Sequence, residues 1–109
     1  DIGASSLAAK NNALSVDHLE YLSPAGAEEL KRSGTIAVLL PGAFYYLREK
    51  RIPPMQLLRS LGIPFAIATD CNPGTSPICS LLLTLNLACV LYAVMPEEAL
   101  KGVTLNAAK

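Results

Sequence analysis

The chain has 109 residues, the size of one modest domain, and 51% of them are hydrophobic, which suffices for a packed core and excludes intrinsic disorder. Nine lysines and arginines balance nine acidic residues, and the basic ones are scattered apart from Arg48-Glu49-Lys50-Arg51, so no nucleic-acid partner is expected. Three cysteines, Cys71, Cys79 and Cys89, without C-x-x-C spacing support neither a disulfide framework nor a zinc knuckle, and they suit a reducing, cytoplasmic setting.

No secretory signal pattern opens the chain, and residues 3–12 have the composition of a helix body. Residues 14–19 have strand character and end in charge. Ser23 and Pro24 then form an N-cap and first helical position, and Gly34 stops that helix. Residues 35–40 (T-I-A-V-L-L) read as a strand covered on both faces, broken by Pro41-Gly42, with a loop expected over 41–53. A short helix over 54–61 is closed by Gly62, and the apolar run 63–68 (I-P-F-A-I-A) reads as a buried strand. The turn 72–77 (N-P-G-T-S-P) is expected to open a long apolar helix, and a last helix begins at Pro96.

Residues 78–95 run without a charge, a length that raises the question of a membrane span. Ser80, Thr84 and Asn86 interrupt the run, flanking Lys/Arg and Trp anchors are missing, and Pro96-Glu97-Glu98 follow directly. A helix buried inside a larger soluble protein fits better than a membrane partner. Apolar strands alternating with helices indicate an α/β fold with a parallel sheet and helices packed outside it. Three strands are too few to close a barrel, so these residues read as part of a larger α/β protein.

The polar groups fall where such proteins build sites. The three strands end at Asp17-His18-Leu19-Glu20, at Pro41-Gly42-Ala43-Phe44-Tyr45 and at Thr69-Asp70-Cys71-Asn72, and in a parallel sheet all three ends share one edge. His18, the sole histidine, reads as a metal ligand, a proton-transfer group, a donor to a substrate carbonyl, or a hydrogen-bonded structural residue. Asp70 is either a group for chemistry or a turn cap, and N–H groups near Gly74 and Thr75 are placed to face an anion. Hydrolytic zinc sites generally need three protein ligands, usually with more than one histidine, and this chain cannot supply them. Arg48 could hold a substrate carboxylate, but its charged neighbours favour a solvated side chain. The aromatics Phe44-Tyr45-Tyr46 could wall a pocket or pack on their own domain. Cys79 and Cys89 read as small apolar helix residues, which leaves Cys71 as the cysteine near the presumed site.

Four segments, V-D-H-L-E-Y (16–21), V-L-L-P-G-A-F-Y-Y-L-R-E (38–49), A-T-D-C-N-P-G-T-S-P (68–77) and P-E-E-A-L-K-G-V-T-L-N-A-A (96–108), together resemble the imidazolonepropionase family of metal-dependent amidohydrolases. The resemblance implies that residues 1–109 are one incomplete domain, the C-terminal part of a (β/α)8 barrel, about strands six to eight with their helices. It implies hydrolysis of 4-imidazolone-5-propanoate to N-formimidoyl-L-glutamate in histidine degradation, with one zinc or iron ion, in a cytoplasmic parent protein that is a homodimer. On this resemblance Asp70 matches the aspartate after the eighth strand that binds the metal and handles a proton. His18 matches the histidine after the sixth strand that assists the attacking water or holds the substrate. Asn72, Gly74 and Thr75 match positions that bind substrate or product. The family's H-x-H pair and its fifth-strand histidine are absent. Because the D-I-G at residues 1–3 follows the fifth-strand motif in the family, that histidine is expected a few residues before Asp1. An isolated piece with a single metal ligand is expected to bind metal poorly and hydrolyse nothing. The competing expectation is a standalone, non-catalytic α/β fragment that holds an anionic metabolite at the Gly74 turn.

Overall fold

Ser23 and Gly34 show how short-range chemistry sets the elements. In the computed structural model, which describes residues 3–109, Ser23 Oγ accepts the Gly26 N–H at 3.1 Å, and Pro24 sits in the first turn of helix α2 (Pro24–Ser33). Gly34 ends the helix in the left-handed conformation, φ 74°, and sends its N–H back to the Leu30 carbonyl. Gly62 closes α4 (Met55–Leu61) in the same way, at φ 67°. The first helix, α1 (Ala4–Lys10), lies within the expected 3–12, and Asp1 and Ile2 of the D-I-G opening fall outside the described residues. The last helix, α6 (Pro96–Val103), starts on its predicted proline.

Two boundaries differ from expectation. Residues 41–53 are not all loop, because Pro41 begins a helix, α3 (Pro41–Tyr46). A proline after a strand removes the ladder N–H, but its missing donor costs nothing at a helix start. The apolar helix α5 (Leu81–Tyr92) does not begin at the glycine turn; it waits for Ser80, whose Oγ accepts the Leu83 N–H at 3.2 Å. Its 12 residues span about 18 Å, well short of the ~30 Å bilayer core. Among the described residues no helix is long and apolar enough to cross a membrane.

The strands β1 (Ser15–Asp17), β2 (Ile36–Leu39) and β3 (Phe65–Ile67) form one parallel sheet in the order β1-β2-β3, with Val16 beside Ala37 and Ala37 beside Phe65. This is the predicted α/β arrangement, and it is consistent with part of a (β/α)8 barrel. On one face Ala37, Leu39, Phe65 and Ile67 join Ala27 and Leu30 of α2, Met55 and Leu58 of α4, and Ala88 and Tyr92 of α5 in the core. On the opposite face Ile36 and Ala66 are buried and Val38 is half-buried, so β2 is largely covered on both faces as expected. Ile36, Val38, Ala66 and Ala68 line an open hollow of about 310 Å³ there, bordered by residues 106–109. Asn106 Nδ2 donates to the Phe65 carbonyl at 2.9 Å, which satisfies an acceptor on the open edge of β3.

Helices α4 and α6 are joined by an ion pair with more than one contact. Arg59 donates through Nε to Glu98 Oε1 at 2.8 Å and through Nη2 to Glu98 Oε2 at 2.6 Å, and Nη2 also reaches the Ala93 carbonyl at 2.9 Å. Glu98 Oε2 accepts the Met95 N–H at 2.9 Å, which caps α6. The Arg59 hydrogen bonds hold the Glu98 carboxyl below the usual glutamate range. A carboxyl depressed in the folded state stabilises above its unfolded pKa, near 4.3, and that stabilisation is lost as pH falls through the lower folded value. Replacing Glu98 with Gln is therefore expected to cost about 1 kcal/mol or less at pH 7 and to flatten the acid limb of the stability curve below about pH 4.3, as read from urea midpoints at several pH values.

Candidate active site at the carboxyl edge of the sheet

The candidate residues sit where β1 and β3 end. His18 follows β1 with φ 54°, and Asp70 lies just past β3 with φ 48°. Both are non-glycine residues in the left-handed region, a conformation that costs roughly 1–3 kcal/mol and persists only when the surroundings impose it. Histidine and aspartate tolerate that region better than most residues. What imposes it at Asp70 is visible in the next few residues.

Asn72 organises the loop. Its Oδ1 accepts the N–H of Gly74 at 2.9 Å, the N–H of Thr75 at 2.7 Å and the hydroxyl of Thr75 at 3.1 Å, while its Nδ2 donates to the Asp70 carbonyl at 2.7 Å. The Asn72 N–H reaches the Ser76 carbonyl at 3.0 Å, and the fully buried Ser76 donates through Oγ to the Thr69 carbonyl at 2.7 Å. The loop is thus tied to itself at both ends and to the last residues of β3. These bonds correct one expectation: the N–H groups of Gly74 and Thr75 do not face outward to an anion, because Asn72 Oδ1 already takes both. Nor do they belong to a helix start, since α5 begins later.

Gly42 supports the loop from below. A Cβ at that position would meet Ser76 Oγ at 2.6 Å and the Thr69 carbonyl at 3.4 Å, so the first turn of α3 lies directly against the site loop. Gly42 and Ser76 were not singled out by sequence reasoning. The signal was the Pro41-Gly42 pair after a strand, which marks close backbone approach as readily as a loop.

His18 is exposed and lines a hollow of about 320 Å³ with Ser5, Val16, Asp17 and Tyr21. Asp70, half-buried, is not among its lining residues. The structure therefore brings the two to one edge but not into one cavity, because β2 lies between them and two strand spacings amount to roughly 10 Å. Arg48 is exposed with φ 56°, its neighbour Glu49 accepts the N–H groups of Lys50 and Arg51 at 2.7 and 3.1 Å, and Arg51 stacks 4.8 Å from the Tyr21 ring centroid. Those backbone bonds, the Arg51 one foremost, hold the Glu49 carboxyl below its usual range. Of the aromatics, Phe44 packs edge-on against Tyr92 at 5.2 Å, and Tyr45 and Tyr46 are exposed. Cys79 is not a helix residue as expected: it precedes the Ser80 cap and places its Sγ 3.4 Å from Cys71 Sγ. That contact raises the Cys71 thiol pKa.

Among the described residues no group of three or more His, Cys, Asp or Glu side chains is placed to hold a metal ion. The donors at this edge do not by themselves make a metal site; Asp70 would supply one hard oxygen ligand and the others would have to come from elsewhere.

A parallel sheet with helices packed on it and polar side chains past its strand ends is consistent with part of a (β/α)8 barrel. Over all 109 of its residues the chain is similar to the imidazolonepropionase of Shewanella baltica at 62% identity, of Vibrio vulnificus at 58% and of Shewanella denitrificans at 62%. It spans 27%, 27% and 26% of the length of those relatives. No protein-family profile matches the chain.

The dependence of the site loop on Gly42 is testable. Gly42→Ala is expected to displace Ser76 Oγ, break its bond to Thr69 and lower stability by about 1–3 kcal/mol, and adding Ser76→Ala to make room is expected to recover part of that loss in denaturant titration of the intact protein.

Proposed function

We propose that this chain is the C-terminal part of an imidazolonepropionase, about barrel strands six to eight, and that it contributes one side of the active site of a longer protein. The observation that carries the reading is the 58–62% identity to enzymes of that name along the whole chain, site loop included. The reaction is hydrolysis of the cyclic amide of 4-imidazolone-5-propanoate to N-formimidoyl-L-glutamate in histidine degradation. A zinc or iron ion, with Asp70 as one ligand and the rest outside this chain, supplies the lowered water pKa and the polarised ring carbonyl when bound.

The chain's own residues have separable tasks. The Asp70 carboxylate, held in place by the Asn72 bond to its carbonyl, accepts a proton from water and returns it to the ring nitrogen that leaves. His18, across β2 on the same edge, donates to the developing oxyanion or to the substrate. Asn72 keeps one Nδ2 proton and Thr75 keeps acceptor lone pairs for the substrate, while the Gly74 backbone allows close approach. The longer protein in this reading is a cytoplasmic homodimer acting on a small molecule, with neither nucleic acid nor membrane as partner.

A non-catalytic fragment that binds an anion at the Gly74 turn is less well supported, because Asn72 occupies the two N–H groups it would need. A membrane segment at residues 78–95 is disfavoured by a helix of only 12 residues there. Asp70→Asn, which keeps a residue suited to the left-handed backbone, is expected in the intact protein to lower turnover of imidazolonepropionate by at least roughly a hundredfold while leaving the melting temperature nearly unchanged. Unchanged turnover would refute the role given to Asp70.

A further inference from the structure

The Cys71 and Cys79 sulfurs lie 3.4 Å apart, and both residues are exposed. They stand at the two ends of the site loop: Cys71 follows Asp70, Cys79 precedes the Ser80 cap of α5, and Asn72, Gly74 and Thr75 lie between them. Closing that contact to a disulfide of ~2.05 Å requires the sulfurs to approach by only about 1.4 Å. Cys89 is different, being half-buried on α5 and packed against the core. It serves as an internal control.

We propose that Cys71 and Cys79 form an oxidative modification site, in which hydrogen peroxide converts the two thiols to a disulfide that locks the loop carrying the substrate-binding residues. One thiolate attacks the peroxide O–O bond, forming a sulfenic acid and releasing hydroxide. The second thiol displaces the sulfenic oxygen, forming the S–S bond and expelling water, and its sibling's released proton converts the hydroxide to a second water. Two thiols thus lose two electrons and two protons, and peroxide leaves as two waters. A dithiol reductant reverses the step by thiol–disulfide exchange.

The bond acts on the loop through its neighbours. Asp70 precedes Cys71 and sits at φ 48°, held by the Asn72 side chain, so drawing Cys71 toward Cys79 shifts the backbone that sets the Asp70 carboxylate. A displacement near 1 Å at a reacting group costs up to about a hundredfold in rate. Formation of the disulfide stands independently of the proposed activity; its effect on turnover rests on that activity.

The test oxidises the intact protein with peroxide and maps linkages by tandem mass spectrometry, with hydrogen exchange over residues 72–78 and turnover measured before and after a dithiol reductant. The expected result is a Cys71–Cys79 linkage with Cys89 left as a thiol, slowed exchange across the loop, and turnover reduced roughly tenfold to a hundredfold and restored by reductant. Cys79→Ser is expected to match the reduced wild type in turnover and to lose the peroxide-induced slowing of exchange. Absence of the linkage, a linkage to Cys89 instead, or a linkage that leaves exchange unchanged would overturn the proposal. If the reduced protein fails to hydrolyse imidazolonepropionate, the proposed activity fails, and the linkage and exchange readouts still decide this inference.

Discussion

Parallel pairing of three strands in register is the constraint on which the rest depends. Because Val16 lies beside Ala37 and Ala37 beside Phe65, the carboxyl ends of β1 and β3 fall on the same edge, and His18 and Asp70 arrive there together. A slip of one residue would turn the apolar row Ala37, Leu39, Phe65 and Ile67 away from the helices that bury it, so the core enforces the register. The edge is then finished by local chemistry. Asn72 folds the loop past β3, Ser76 ties its far end to Thr69, and Gly42 lets α3 pass close beneath. Packing sets the height of the site, and hydrogen bonds set its shape.

The unfinished surfaces point outward in a consistent way. The second face of the sheet lines an open hollow with Ile36, Val38, Ala66 and Ala68, of which Val38 and Ala68 are half-buried, and α5 leaves Leu82 and Val90 at 79% and 71% exposure. Apolar surface of that extent normally meets a partner surface.

Much of this was legible in the sequence wherever proline, glycine and small capping residues act locally. Ser23-Pro24, Gly34, Gly62 and Pro96 mark boundaries that the structure keeps. The same rule misled at Pro41-Gly42, because a proline after a strand both ends a ladder and starts a helix. It misled again at the glycine turn, where the side chain of Asn72, not a helix start, takes up the N–H groups. The left-handed torsions of His18 and Asp70 were not legible, since tertiary surroundings select them. The Cys71–Cys79 contact matches no spacing motif; it exists because the loop doubles back so that the Asn72 N–H meets the Ser76 carbonyl.

The central claim is that His18 and Asp70, though separated by β2, act on one substrate at one edge. A double-mutant cycle on turnover in the intact protein tests it most directly, using His18→Gln, Asp70→Asn and the pair. Residues that act as a unit show strongly non-additive losses, so the pair is predicted to lose little more than the larger single loss. Losses that multiply would contradict the account and place the two residues in independent roles.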